Sequence, residues 1–183
     1  MEKKNGEKKN VLMNDKDKYL TFSIKNIVDS KERKEIYGIS IQNVQEIMGM
    51  LDYTPIPKTP DYIKGVINLR GKIITIIDLR LKLGFEEVEY NDRTCIIIVE
   101  LEVEGKNKVI GFIVDIVSEV IDIGKEQIEA FSQEETDMDK KVIKGIAKME
   151  DQIIMILDLK KLLSKKELSL NKDKVEKEIE VSK

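Results

Sequence analysis

Apolar and polar positions alternate from Tyr19 to Ile24, with Leu20, Phe22 and Ile24 on one side, which predicts a strand with one buried face. The charged run Asp29 to Glu35 predicts a solvated hairpin loop, and Ile36 to Ile41 a returning strand. Asn43 to Met50 fits either a short helix or a strand and bend, because its periodicity serves both. All three prolines fall between Thr54 and Pro60, and their fixed φ predicts a stiff connector. Two strands follow over residues 62–78, joined at Leu69-Arg70-Gly71-Lys72, where Gly71 is free to take a positive φ. Ile73 to Ile77 is apolar on both faces, so it is expected to be buried on both. Asp78 is placed to cap a short helix, Leu79 to Leu83, which Gly84 stops. Residues 1–17 are polar without periodicity and predict a tail lacking regular structure.

The pattern occurs twice. Residues 63–83 lie over residues 143–163 at a constant offset of 80 with nine of 21 positions identical, among them Gly65/Gly145, Asp78/Asp158 and Leu83/Leu163. Upstream, Gly38 to Ile47 matches Gly111 to Val120 with Gly, Val and Glu in register. The chain therefore carries one supersecondary unit in two copies. About five short strands per copy are too few to hide both faces of an open sheet, so each copy is expected to curl into a small barrel, with a cleft between them. The largest chemical change between copies is at the turn, where Asn68-Leu-Arg-Gly71 stands opposite Lys148-Met-Glu-Asp151. On the residues alone, a working first turn and neutral drift at an exposed loop account for this equally well.

Composition supports sheet. Ile occurs 28 times and Val 14, against two Ala, and β-branched side chains suit a pleated, half-buried surface. With 35 acidic and 32 basic residues, the net charge of −3 supplies no basic field for nucleic acid or anionic lipid. No apolar run approaches the roughly 20 residues of a membrane-spanning helix. One Cys excludes an intrachain disulfide and a Cys-rich zinc cluster, and fits a reducing, cytoplasmic setting.

Enzyme chemistry finds little to use. With no His, the commonest general base and metal ligand is missing, and no phosphate-cradling loop or nucleophile elbow is present. Asp78 and Asp158 read as helix caps rather than phosphoacceptors. Glu134 to Asp139 lacks the central Gly of a calcium loop and reads as a solvated acidic loop. Asp115, odd within an apolar run, is expected to point outward or bond a turn, and Cys95 to act as a small hydrophobe. No catalytic residue, metal or cofactor is expected. A single-stranded nucleic-acid-binding barrel stands as the alternative to protein–protein recognition, although only nine aromatic residues are available to it.

Val44-Gln-Glu-Ile47, the connector from Pro55 to Tyr62, Ile63-Lys-Gly-Val-Ile-Asn-Leu-Arg-Gly71, Ile76-Ile-Asp-Leu-Arg80 and Gly111 to Val120 together resemble the CheW-like coupling family of bacterial chemotaxis, over about residues 18–164. The resemblance implies a mainly β fold: two intertwined five-stranded barrels of the Src-homology-three type, with a few short helices including a C-terminal one. It divides the chain into a tail (1–17), two barrel repeats (18–91 and 92–164) and a charged, partly helical or disordered extension (165–183). It implies a non-catalytic adaptor, monomeric in isolation, that couples the cytoplasmic tips of chemoreceptors to the histidine kinase CheA without entering the membrane or binding nucleic acid. It carries receptor contact to Val44, Glu46, Gly65, Asn68, Arg70, Cys95 and Val120, with Glu46 set close to the turn Arg70. Kinase contact falls on barrel ends, here Glu129 and Phe131.

Overall fold

The computed structural model describes residues 16–28, 30–130, 142–163 and 167. Strands dominate: β1 (Lys16–Val28), β2 (Lys31–Ser40), β3 (Val44–Gly49), β4 (Ile63–Leu69), β5 (Lys72–Asp78), β6 (Cys95–Val103), β7 (Lys106–Val114), β8 (Ile116–Gly124), β9 (Ile128–Ala130), β10 (Ile143–Met149) and β11 (Gln152–Leu157). Two short helices, α1 (Leu79–Lys82) and α2 (Leu159–Leu162), follow β5 and β11. Asp78 and Asp158 cap them, Asp78 accepting from the Leu81 amide at 3.1 Å and Asp158 from the Lys160 and Lys161 amides at 3.1 Å. The residues identical between copies thus include the two that end the strands and start the helices.

The strands form a six-stranded sheet in the order β8-β1-β2-β11-β10-β9 and a five-stranded sheet in the order β3-β6-β7-β5-β4. Replacing each strand by its repeat mate turns one order into the other, with β9 as the extra edge. The parallel pairs correspond as well, β11 on β2 and β5 on β7. Each sheet therefore takes its paired long strands from one copy and its shorter ones from the other. This makes two Src-homology-three-like barrels intertwined.

Three apolar clusters follow from this weave. Ile67, Ile74, Ile76, Ile96, Ile98 and Ile113 fill the five-stranded barrel. Tyr19, Ile123, Ala147, Ile154 and Ile156 fill the six-stranded one. The third and largest lies between the sheets, where Leu20, Phe22 and Ile24 of β1 meet Ile97, Val99 and Phe112 of β6 and β7. The space between the barrels is thus packed rather than an open cleft, and any groove there is a surface feature floored by this core. Ile74, Ile76 and Ile77 are buried on both faces of β5, because it lies between β7 and β4 with a cluster on either side.

Of the two readings open for Asn43 to Met50, the strand forms, as β3 after a 3-10 turn at Ile41–Asn43. Two local expectations change. The charged segment from Lys31 to Glu35 is strand rather than loop: Val28 pairs with Lys31, and the ladder continues without interruption to Tyr19 opposite Ser40. Both faces of that ribbon meet water, so no alternation announced it; backbone pairing and a 2.7 Å ion pair, Lys25 to Glu32, hold it. At the other end β1 begins at Lys16, because Lys16 to Tyr19 pair with Ile121 to Gly124 of β8. The acidic run Glu134 to Asp139 and most of the C-terminal extension lie outside the described residues; Glu167 is buried and pairs with Lys82 at 2.6 Å.

Candidate functional site

The β4–β5 hairpin closes with two residues, since Leu69 pairs with Lys72. Arg70 (φ 52°) and Gly71 (φ 81°) both sit in the left-handed region, the geometry whose twist matches that of the flanking strands. Glycine adopts it freely, whereas an L side chain does so at a cost of roughly 1–2 kcal/mol. Asn68 braces the turn, its side-chain oxygen accepting the Gly71 amide at 2.9 Å.

From this turn the Arg70 Nη2 donates to Glu46 Oε1 at 2.8 Å. Glu46 lies on β3, one edge of the five-stranded sheet, and β4 forms the other edge. The ion pair thus spans the seam of the barrel, at a level where Met48 and Met50 of the same region turn towards the interior. The Arg70 side chain is 75 % exposed and that of Glu46 30 %. A pair so wet contributes about 0–1 kcal/mol to stability. A guanidinium has five N–H donors in a rigid fork, and with one donor on Glu46 this one is held in place yet open to a partner's carboxylate or carbonyl groups.

The remaining carried-over positions divide. Val44 opens β3 and leans on the central core, with a bulge between it and Glu46 that leaves Gln45 outside to bond Glu100 at 2.9 Å. Cys95 starts β6 opposite Gly49, at the far end of β3 from Val44, and its thiol donates to the Arg93 carbonyl. Val120 lies on β8, the edge of the other sheet, exposed; its repeat mate Ile47 on β3 is exposed too. Gly65, the glycine among the carried-over positions, is buried. Its φ is 150°, a Cβ there would collide with the Thr54 carbonyl, and Thr54 pairs with Val66 in both directions at 2.9 Å. Its mate Gly145 lets β9 approach in the same way, a Cβ meeting Ile128 at 2.6 Å and the Glu129 carbonyl at 2.9 Å. Glu129 is exposed on β9 and pairs with Lys148 at 2.9 Å. Phe131 lies outside the described residues.

One polar junction was missed. Arg80, 6 % exposed, donates from Nε to the Glu86 carbonyl at 2.6 Å and from Nη1 to both the Lys25 carbonyl and Asp115 Oδ2, the latter at 2.8 Å. Asp115 also accepts the Lys25 amide at 3.1 Å. It stands between β7 and β8, where the chain leaves one sheet for the other, so it neither points outward nor merely bonds a turn. An isolated acid in an apolar run was the signal, and a buried cation was the partner it required. Nearby, the Tyr90 hydroxyl donates to Asp78 at 2.8 Å; burial first, then the Asp78 carboxylate, pushes this phenol up, so it stays a donor. Among the described residues no group of three or more His, Cys, Asp or Glu side chains is placed to hold a metal ion.

The CheW-like domain model matches residues 20–167. The chain belongs to the CheW-like family. It is 38 % identical over 136 residues to a chemotaxis protein CheW of Klebsiella aerogenes, covering 74 % of this chain and 80 % of that one. A Bacillus subtilis CheW is 35 % identical, over 76 % of this chain and 84 % of its own length. The crystal structure of a scaffolding protein, TtCheW from Thermoanaerobacter tengcongensis, superposes with a TM-score of 0.67 at 36 % identity, covering 83 % of this chain and 95 % of that one. These likenesses give no support to the nucleic-acid-binding alternative.

Proposed function

We propose that this CheW-like chain is a non-catalytic adaptor that couples chemoreceptors to the histidine kinase CheA, with the Arg70 turn as its receptor contact. The observation that carries the reading is the Arg70–Glu46 pair: an exposed cation, fixed in a strained turn by an acid 2.8 Å away, in the copy that has it and not in the copy whose turn bears Glu150. Asn68 sets the turn and Val44 extends the surface along β3. Val120 and Cys95 belong to the same reading through the family resemblance, Val120 from the edge of the neighbouring sheet. Kinase docking at the β9 end, around Glu129 and Phe131, rests on the resemblance alone. Among the described residues no helix is long and apolar enough to cross a membrane. The proposal places the protein in the cytoplasm, monomeric on its own and drawn to the membrane through its receptors.

The test is co-sedimentation of the full chain with receptor-tip fragments and CheA. Arg70→Glu is expected to lose receptor co-sedimentation by at least about tenfold, the scale of a lost charge-assisted contact, while its melting temperature stays within a few degrees. Undiminished receptor binding by Arg70→Glu would falsify the assignment of this turn.

A further inference from the structure

The two places where the chain passes between the sheets are images of each other under the internal repeat. With Gly38 over Gly111, Asp115 corresponds to Gln42 and Ile116 to Asn43; the offset of 80 puts Lys160 at the position of Arg80. The pairing registers, Thr21 opposite Gly38 and Ile98 opposite Gly111, put Asp17 at the position of Thr94. At the β7–β8 crossover, Arg80 and Asp115 close on each other beside a pocket of about 170 Å³. At the β2–β3 crossover, a half-open cavity of about 300 Å³ is lined by Asp17, Gln42, Asn43, Lys144, Asp158 and Lys160 together with Lys18 and apolar neighbours. There the carboxylate is gone, because Gln42 stands where Asp115 would be.

We infer that this cavity recognises a glutamate or aspartate side chain carried by a partner protein, which takes the place that Asp115 fills in the other half. The charges around it support one added anion. Lys18 is held by Asp122 at 2.7 Å, and Asp158 caps the α2 amides and is offset by Lys161 at 3.8 Å. The Lys144 and Lys160 ammonium groups have no carboxylate partner among the described residues, against one acid, Asp17, that is likewise without a hydrogen-bond partner there. The Gln42 amide adds a neutral donor, while the Asn43 amide is committed to the Glu100 carbonyl at 3.2 Å. A peptide side chain suits the site better than a free small acid, because at the closed crossover the matching acid, Asp115, stands on a bend of backbone beside Arg80. The inference is independent of the Arg70 turn, which lies on the other barrel.

The test follows the backbone amide resonances of Gln42, Asn43 and Lys160 in the full chain at constant ionic strength. The probes are the capped peptides acetyl-Gly-Ser-Glu-Ser-Gly-amide and its Glu→Gln counterpart, with sodium acetate alongside. The Glu peptide is expected to shift these amides saturably and the Gln peptide to leave them in place. Lys160→Gln weakens the Glu peptide at least about tenfold, as for loss of a charge-assisted hydrogen bond. Gln42→Asp restores the internal acid, removes the binding and raises the melting temperature by about 2–4 °C. Equal shifts with both peptides, or binding that survives Gln42→Asp, overturns the inference. Acetate saturating as readily as the Glu peptide overturns it too, by assigning the cavity to a free carboxylate.

Discussion

The two hairpin turns of the repeat have the same length and different chemistry. Leu69 pairs with Lys72 and Met149 with Gln152, so each leaves two residues to reverse the chain. In the first, Arg70 and Gly71 are both left-handed; in the second, neither Glu150 nor Asp151 is. The first holds a cation against Glu46 at the cost of local strain, while the second carries two acids, Glu150 and Asp151. By contrast, the buried glycines Gly65 and Gly145 and the caps Asp78 and Asp158 do the same work in both copies. What the copies share is packing. What separates the two turns is exposed charge, and that is where a contact with another protein belongs.

The sharpest way to test this division is to cut equivalent residues in the two halves. Arg80→Ala strands the Asp115 carboxylate in a nearly buried site, and the loss expected is about 3–5 kcal/mol. Lys160→Ala, at the matching but exposed position, is expected to change stability by less than about 0.5 kcal/mol. Urea denaturation of both variants measures the difference, and equal losses would dissolve the distinction between the closed crossover and the open one. Next comes Gly65→Ala, which combines a left-handed φ with a backbone collision at Thr54 and is expected to cost about 2–3 kcal/mol. Gly145→Ala costs less by the same measurement, because its φ is ordinary and its closest backbone contact, the Glu129 carbonyl at 2.9 Å, is looser than the one a Cβ at Gly65 would make with the Thr54 carbonyl.

Most of the fold was legible because the chain states it twice. Ile73 to Ile77, Asp78 and the turn at Gly71 each have a local physical signature, and the repeat confirmed that the signature belonged to one unit. The exchange of strands between sheets was not legible from spacing, since parallel pairing of β5 with β7 and of β11 with β2 joins residues far apart in sequence. The outer end of the β1–β2 ribbon, Lys25–Val28 with Lys31–Lys34, escaped notice for another reason: open to water on both faces, it shows no alternation, and its charges read as loop. At the site, the string around Arg70 announced itself, whereas Arg80 and Asp115 are 35 residues apart and only the crossover brings them together. Gly65 sits inside the same distinctive motif, and its close approach to Thr54 shows only in the folded chain.

A smaller effect separates the turns themselves. Gly71→Ala forces an L residue into the left-handed region and is expected to cost about 1 kcal/mol, read from the denaturation midpoint. The nearest contact to a Cβ there is beyond 4 Å, so the loss measures backbone strain free of any collision. Asp151→Ala, where no positive φ is required, is expected to leave the midpoint unchanged within error.

The smallest expected effect is the most informative about purpose. Lys148–Glu129 and Arg70–Glu46 are both ion pairs under 3 Å near a hairpin turn, one in each barrel, the first between the paired strands β9 and β10 and the second across the barrel seam. Both sit in water, so double-mutant cycles to Ala are expected to give coupling energies below about 1 kcal/mol for each. If the two pairs are energetically alike, stability cannot be the reason that one of them occupies a strained turn, and only the Arg70 cycle should change receptor co-sedimentation. A coupling well above 1 kcal/mol for Arg70–Glu46 would instead make the pair a structural clasp across the barrel seam, and the exposed guanidinium would lose its claim to be a contact.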